Sequence, residues 1–146
     1  MKHWLLALSL MTCASSDSRL QHRLCRDSIG VLLAESISSE SFHAIAGALV
    51  YWNRQLGRAV LYPDRFGRLL VEERSLRCVG ACETIVPRYV MIDGCLAGAV
   101  LSIPEMLGGT TLDRFVRDRF GQVLGLPARP TDLHYRALQR AYGRER

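Results

Sequence analysis

Apolar positions recur at helical spacing in two long stretches of this chain and at strand spacing in several short ones. In the first, Phe42, Ile45, Ala46, Leu49, Val50, Asn53 and Leu56 fall at i, i+3, i+4, i+7, i+8, i+11 and i+14. All but Asn53 are apolar, so one helical face is expected to be buried. Serines at 36, 38, 39 and 41 offer N-caps, and Gly57 stands at the natural stop. In the second stretch, residues 111–127, Leu112, Phe115, Val116, Phe120, Val123 and Leu124 form the stripe. Thr110 or Thr111 is the expected cap, and Asp113 is placed in the first turn, where the helix dipole favours an acid. Gly125-Leu126-Pro127 ends this helix sharply. Thr131-Asp132 then caps a last helix that stops at Gly143.

The strand signals are shorter. Residues 29–34 are almost continuously apolar, which suits a buried strand. Residues 59–62 are a short strand stopped by Pro63-Asp64. Residues 68–77 mix apolar and charged side chains, which suggests an exposed or edge strand. Residues 84–86 and 89–92 read as strands separated by Pro87, and Asp93-Gly94 is a turn that returns the chain into 95–103. The expected class is α/β (α+β): a small mixed sheet, two main helices and a C-terminal helix.

The N-terminus departs from this pattern. Lys2 and His3 precede an apolar run at 4–11, then Thr12-Cys13-Ala14-Ser15-Ser16. That is the layout of a secretory signal, and it is too short to span a bilayer. Leu10-Met11-Thr12-Cys13 resembles a bacterial lipobox that would lipidate Cys13, with Thr12 departing from the usual small residue. Cleavage after Ala14 is the other processing route, and an amphipathic N-terminus of a cytosolic protein is the non-exported reading. The division is then 1–13 signal peptide or lipobox, 14–28 polar tether, and 29–146 folded domain.

Beyond Cys13 four cysteines remain: Cys25, Cys78, Cys82 and Cys95. In an oxidising compartment they allow two disulfides, in three possible pairings. Two alternatives stand beside that reading: a zinc site opened by Cys78 and Cys82, or free buried thiols. From Cys13 onward eighteen arginines face fourteen acidic residues, a net of +4 with no lysine. This modest, scattered excess speaks first of solubility. No basic stripe interleaved with aromatics argues for a nucleic-acid partner.

Three stretches resemble the matrixin branch of the metzincin zinc proteases. Ala48-Leu49-Val50-Tyr51-Trp52-Asn53 is similar to the A-x-x-x-W-N pattern of that family's first helix. Phe120-Gly121-Gln122-Val123-Leu124-Gly125-Leu126-Pro127 is similar to its F-G-H-A-L-G-L-P. The segment 131–143 resembles its closing helix, down to the final Tyr142-Gly143. The three follow in the family's order.

The resemblance implies a metzincin-like fold whose zinc is held by H-E-x-x-H and a third histidine. Two imidazoles one turn apart hold the metal, and the glutamate deprotonates its water. Aligned on Gly121 and Gly125, this chain places Asp118 and Gln122 at the first two histidine positions, Arg119 at the glutamate and Ala128 at the third histidine. No Met follows Met106, so the family's methionine turn is missing as well. No catalytic residue, cofactor or metal ligand is therefore expected.

The expected protein is an exported, lipid-anchored, catalytically inactive metalloprotease-like domain in the bacterial envelope, the periplasm or the medium. It would bind a peptide or an envelope protein, or serve as a structural envelope protein, with the membrane reached through its anchor. The alternative is an active zinc metalloprotease with an atypical site. There Asp118 would ligate, Gln122 weakly, His134 would swing in, and Glu105 or Asp113 would be the available acids. The cluster of Arg114, Arg117, Arg119 and Arg129 could form an anion pocket, but an exposed face is the simpler expectation.

Overall fold

A computed structural model describes residues 19–144. Cys13 and the whole 1–13 signal lie outside the described residues. The class is the expected mixture: among the described residues, a five-stranded mixed sheet with three helices. The elements run β1 (Ile29–Leu33), α1 (Ser39–Leu56), β2 (Leu61–Pro63), β3 (Leu69–Arg74), β4 (Arg88–Ile92), β5 (Cys95–Pro104), α2 (Gly109–Val123) and α3 (Asp132–Tyr142). The strand order is β2-β1-β3-β5-β4. All neighbours are parallel except β4, which returns antiparallel to β5 after the Asp93-Gly94 turn.

Several expectations shift by a residue or a face. Helix α1 buries Ser41, Ala44, Ile45, Ala48, Leu49, Trp52 and Leu56, whereas Phe42 and Val50 are exposed. The stripe turns because Trp52 has the stronger hold. Its ring is buried and its Nε1–H donates to the Arg117 carbonyl of α2 at 2.9 Å. Asn53, the polar member of the expected stripe, ties α1 to β2. Its Nδ2 donates to the Leu61 carbonyl at 2.7 Å, and its Oδ1 accepts from Val60 N and Leu61 N at 2.9 and 3.0 Å. The Trp-Asn pair thus fixes both the neighbouring helix and the next strand.

Strand β3 is the middle strand and not an edge. Leu69 and Val71 are fully buried, and the charges lie at its far end, where the chain leaves the sheet. There they have partners: Glu72 accepts from Ser102 Oγ, and Glu73 accepts from the backbone N and Oγ of Ser38. Residues 84–86 form no strand. Helix α2 starts at Gly109, ahead of the expected threonine caps, so Asp113 lies beyond its first turn. Glu40 of α1 accepts from Gly109 N at 2.9 Å and fills the capping role from another element.

Ser38 is the N-cap of α1, and Glu73 holds it in place. Burial alone would raise the Glu73 pKa, but hydrogen bonds from Ser38 and Ser41 outweigh it and hold the group below its ordinary 4.5. A lowered folded pKa contributes stability above the unfolded value, and that stability is lost as pH falls through the folded value. Urea midpoints measured across the acid range should therefore fall less steeply in Glu73→Gln than in the parent. Identical slopes would show that the Ser38 contact is not linked to folding.

The segment read as the end of a tether is packed. Leu20, His22 and Leu24 point inward while Gln21, Arg23 and Cys25 are exposed, a period of two. Leu24 bridges Leu96 of β5, with Leu96 N donating to Arg23 O at 2.7 Å and Cys25 N to Leu96 O at 3.0 Å. The cysteines form two disulfides, Cys25–Cys95 and Cys78–Cys82. The four-cysteine zinc reading and the free-thiol reading both fall with this pairing.

Candidate functional site

The four positions singled out on the zinc-protease frame come together. Asp118, Arg119, Gln122 and Ala128 all line one groove of about 550 Å³. Helix α2 forms its floor, the Gly125 bend brings Ala128 to its end, and the loop around Gly80 forms the opposite wall. A second hollow of about 210 Å³ continues from it, sharing Asp118, Gln122 and Ala128 and adding Trp52 and Tyr135. Those two rings are stacked, with centroids 6.4 Å apart and planes 14° from parallel.

Arg119 is where expectation and structure part most. It was expected on an exposed face, yet only 6% of it is exposed, and its neighbour one turn on, Gln122, is 8% exposed. The Arg119 guanidinium lies over the Phe115 ring at 4.5 Å. Its Nε donates to Ile85 O at 2.6 Å and its Nη2 to Cys82 O at 3.0 Å. Burial pushes its pKa down, opposed by the nearby Asp118 and Glu83 carboxylates and by Tyr89. Charge-assisted bonds to two carbonyls stabilise a buried cation that has lost its water. Residue 119 therefore staples the disulfide loop onto α2. The Ile85 backbone is thereby committed away from the sheet: its carbonyl goes to a side chain and its N–H to the Cys82 carbonyl, not to a neighbouring strand.

The other arginines divide. Arg114 and Arg129 line the groove, while Arg117 stacks over Tyr51 at 5.0 Å. The acids in the groove are Asp118 and Glu83; neither Glu105 nor Asp113 lines it. Tyr89, on β4 close enough to feel Arg119, has its phenol pushed up to about 12 by burial, against the pull of that cation. It stays protonated at neutral pH and offers no base.

The residues at hand do not fit zinc. No three of His, Cys, Asp and Glu gather in a metal-holding arrangement among the described residues. His134 does not turn toward Asp118, because its Nδ1 accepts from Thr131 N at 3.0 Å at the start of α3. His22 bonds the Val123 carbonyl at 2.7 Å, and His43 is exposed on α1. A buried guanidinium beside the frame would also repel a dication.

Sequence reasoning missed the strap formed by residues 20–25 and the wall formed by 79–83. The alternation of Leu20, His22 and Leu24 was the available signal for the first. The second is legible as a tight loop between Cys78 and Cys82 around Gly80, but nothing local shows that a distant arginine holds it against α2. No family model matches this chain, and no curated protein is significantly similar to it.

Proposed function

We propose that this is an exported, lipid-anchored domain on a matrixin-like frame that has lost its zinc chemistry and acts by binding. The observation that carries this reading is Arg119. At the position where the frame calls for a catalytic glutamate, a buried guanidinium holds the Cys82 and Ile85 carbonyls. The side chain that would deprotonate water has become one that closes a loop.

The groove has the size of a peptide side-chain or small-ligand site. It offers the Arg114 and Arg129 guanidiniums, the Asp118 and Glu83 carboxylates and the Thr110 and Thr111 hydroxyls. Strand β4 is one of the two edges of the sheet, and all five of its residues are exposed, among them Val90, Met91 and Ile92. Such an edge accepts an extended segment through its backbone groups. A peptide or a strand of an envelope protein is the occupant such an edge would take. Two disulfides fit a non-cytoplasmic, oxidising compartment. No helix among the described residues is long and apolar enough to cross a membrane. Anchoring is assigned to Cys13.

Metal analysis of the purified mature protein tests the reading. Less than stoichiometric zinc is expected, and Asp118→Ala should leave stability unchanged. One zinc per chain with chelator-sensitive peptide cleavage would establish the active protease instead. Arg119→Ala should cost roughly 2–4 kcal/mol in urea unfolding, because two carbonyls lose charge-assisted bonds. Fatty-acid labelling should depend on Cys13. A charge placed at the groove, as in Gln122→Glu, should weaken capture of a partner.

A further inference from the structure

The groove is not the only concentrated feature. On another face Arg19, Arg23 and Arg140 line one hollow of about 490 Å³. Arg58, Arg140 and Arg144 line the next, of about 750 Å³. Arg140 belongs to both, so five arginines share one continuous surface, and among the described residues Asp27 is the only acid lining either hollow. The face is assembled from three distant parts of the chain. The strap brings Arg19 and Arg23, the end of α1 brings Arg58, and α3 with its exit brings Arg140 and Arg144. Arg144 N is held by Leu56 O at 3.2 Å, and Leu24 N donates to the Tyr142 hydroxyl at 2.7 Å. These bonds join the three parts across the face.

We infer that this arginine face docks on an anionic phospholipid surface. The inference rests on the anchored reading above for its geometry. Arg19 lies six residues beyond Cys13, and six residues span at most about 20 Å. A lipid on Cys13 therefore keeps the edge of this face within about 20 Å of the headgroups, and thermal motion carries it inside the screening length of about 8 Å at physiological salt. Arginines near an anionic leaflet are attracted without a shaped pocket, since the field sums over the surface. Open hollows whose arginines are exposed, all but the half-buried Arg58, suit phosphodiester headgroups better than they suit one enclosed ligand. Docking there would fix the orientation of the domain on its tether.

Vesicle co-sedimentation of the full chain tests this. Phosphatidylcholine vesicles are compared with vesicles containing about one-third phosphatidylglycerol, at low and at physiological salt. Binding to the anionic vesicles should be about tenfold tighter or more at low salt, and the gap should narrow as salt rises. Arg23→Glu/Arg140→Glu/Arg144→Glu should close the gap. Arg65→Glu/Arg68→Glu/Arg77→Glu, an equal change of charge elsewhere, should preserve it. If both triple variants lose it equally, or neither does, the face has no special role and the inference fails. Circular dichroism checks folding, and Arg23→Gln/Arg140→Gln should reduce the gap if the triple variant does not fold. Release from the vesicles by millimolar inorganic phosphate, with no effect of equal ionic strength as chloride, would mark a small-anion pocket and overturn the lipid assignment. Because the full chain keeps its apolar N-terminus, binding to neutral vesicles reports insertion separately. Loss of Cys13-dependent labelling with the vesicle gap intact would remove the anchor and leave the face standing.

Discussion

Replacing Cys25 and Cys95 together with serine should lower stability by about 4 kcal/mol, whereas the same change at Cys78 and Cys82 should cost about 2 kcal/mol. The difference follows from sequence separation, 70 residues against 4. A cross-link restricts the unfolded chain in proportion to the logarithm of the loop it closes. The long bond also holds the strap against β5, where the Leu24–Leu96 bridge and its two backbone hydrogen bonds lie. Its loss should therefore release the strap as well as destabilise the domain. Urea denaturation of the two double variants gives the comparison, and amide exchange at Cys25 or Leu96 gives the local effect. An equal loss from both pairs would mean that the strap is held by packing alone. The short bond acts on a different property. It shapes the 79–81 turn, where Cys82 is almost wholly buried and Arg119 grips its carbonyl, so its removal should loosen the groove wall before it affects the core.

Gly125→Ala should destabilise by roughly 3 kcal/mol or more, and for a reason unrelated to zinc. Gly125 has φ of 110°, a conformation that an L side chain resists. A Cβ there would also collide with the carbonyl oxygen of His22, and a backbone oxygen cannot turn aside. The strap crosses the bend at this point: Gln21 N donates to Gly125 O at 2.7 Å, and His22 bonds Val123 O at 2.7 Å. Strain and overpacking each cost about 1–3 kcal/mol at such a site. Thermal unfolding measures the sum, and loss of exchange protection at the Gln21 amide locates it. A variant with unchanged melting temperature and a protected Gln21 would show that the bend tolerates a side chain.

The glycine also has a packing role that needs no metal. In the family it resembles, the bend is expected to bring a third histidine to the metal. Here Ala128 follows that bend, and the glycine makes room for the N-terminal strap. Gly121 has a similar task, because a Cβ there would meet the Trp52 ring at 2.7 Å. The frame residues are thus accounted for by packing: Phe120 fully buried, Gly121 under Trp52, Gly125 under His22. Each has a structural reason that does not depend on catalysis.

Much of the fold was legible because its periodicities are local. The α1 stop at Gly57 with φ of 67°, the Asp93-Gly94 turn and the Thr131 start of α3 each depend on a few adjacent residues. Four of the groove's twelve lining positions, Asp118, Arg119, Gln122 and Ala128, stand out in the sequence as departures from one motif. What each of them does was not legible. Asp118 and Arg119 are neighbours in sequence, yet one is exposed and the other buried, and only the loop at 79–85 decides which. The charges of β3 suggested an edge because a sequence does not say that Ser102 and Ser38 wait at the strand's end.

By itself, then, the sequence determined the class of fold, the order of its elements, the number of available thiols and the absence of H-E-x-x-H from its frame. These follow from composition and from spacings of a few residues. Tertiary structure alone decided the disulfide pairing, the central place of β3, the packing of residues 20–25 and the burial of Arg119. All but the Cys78–Cys82 bond, which closes over four residues, join groups that are tens of residues apart. A guanidinium is stable inside a protein only when carbonyls brought from elsewhere replace its water, and chain order does not specify which carbonyls arrive.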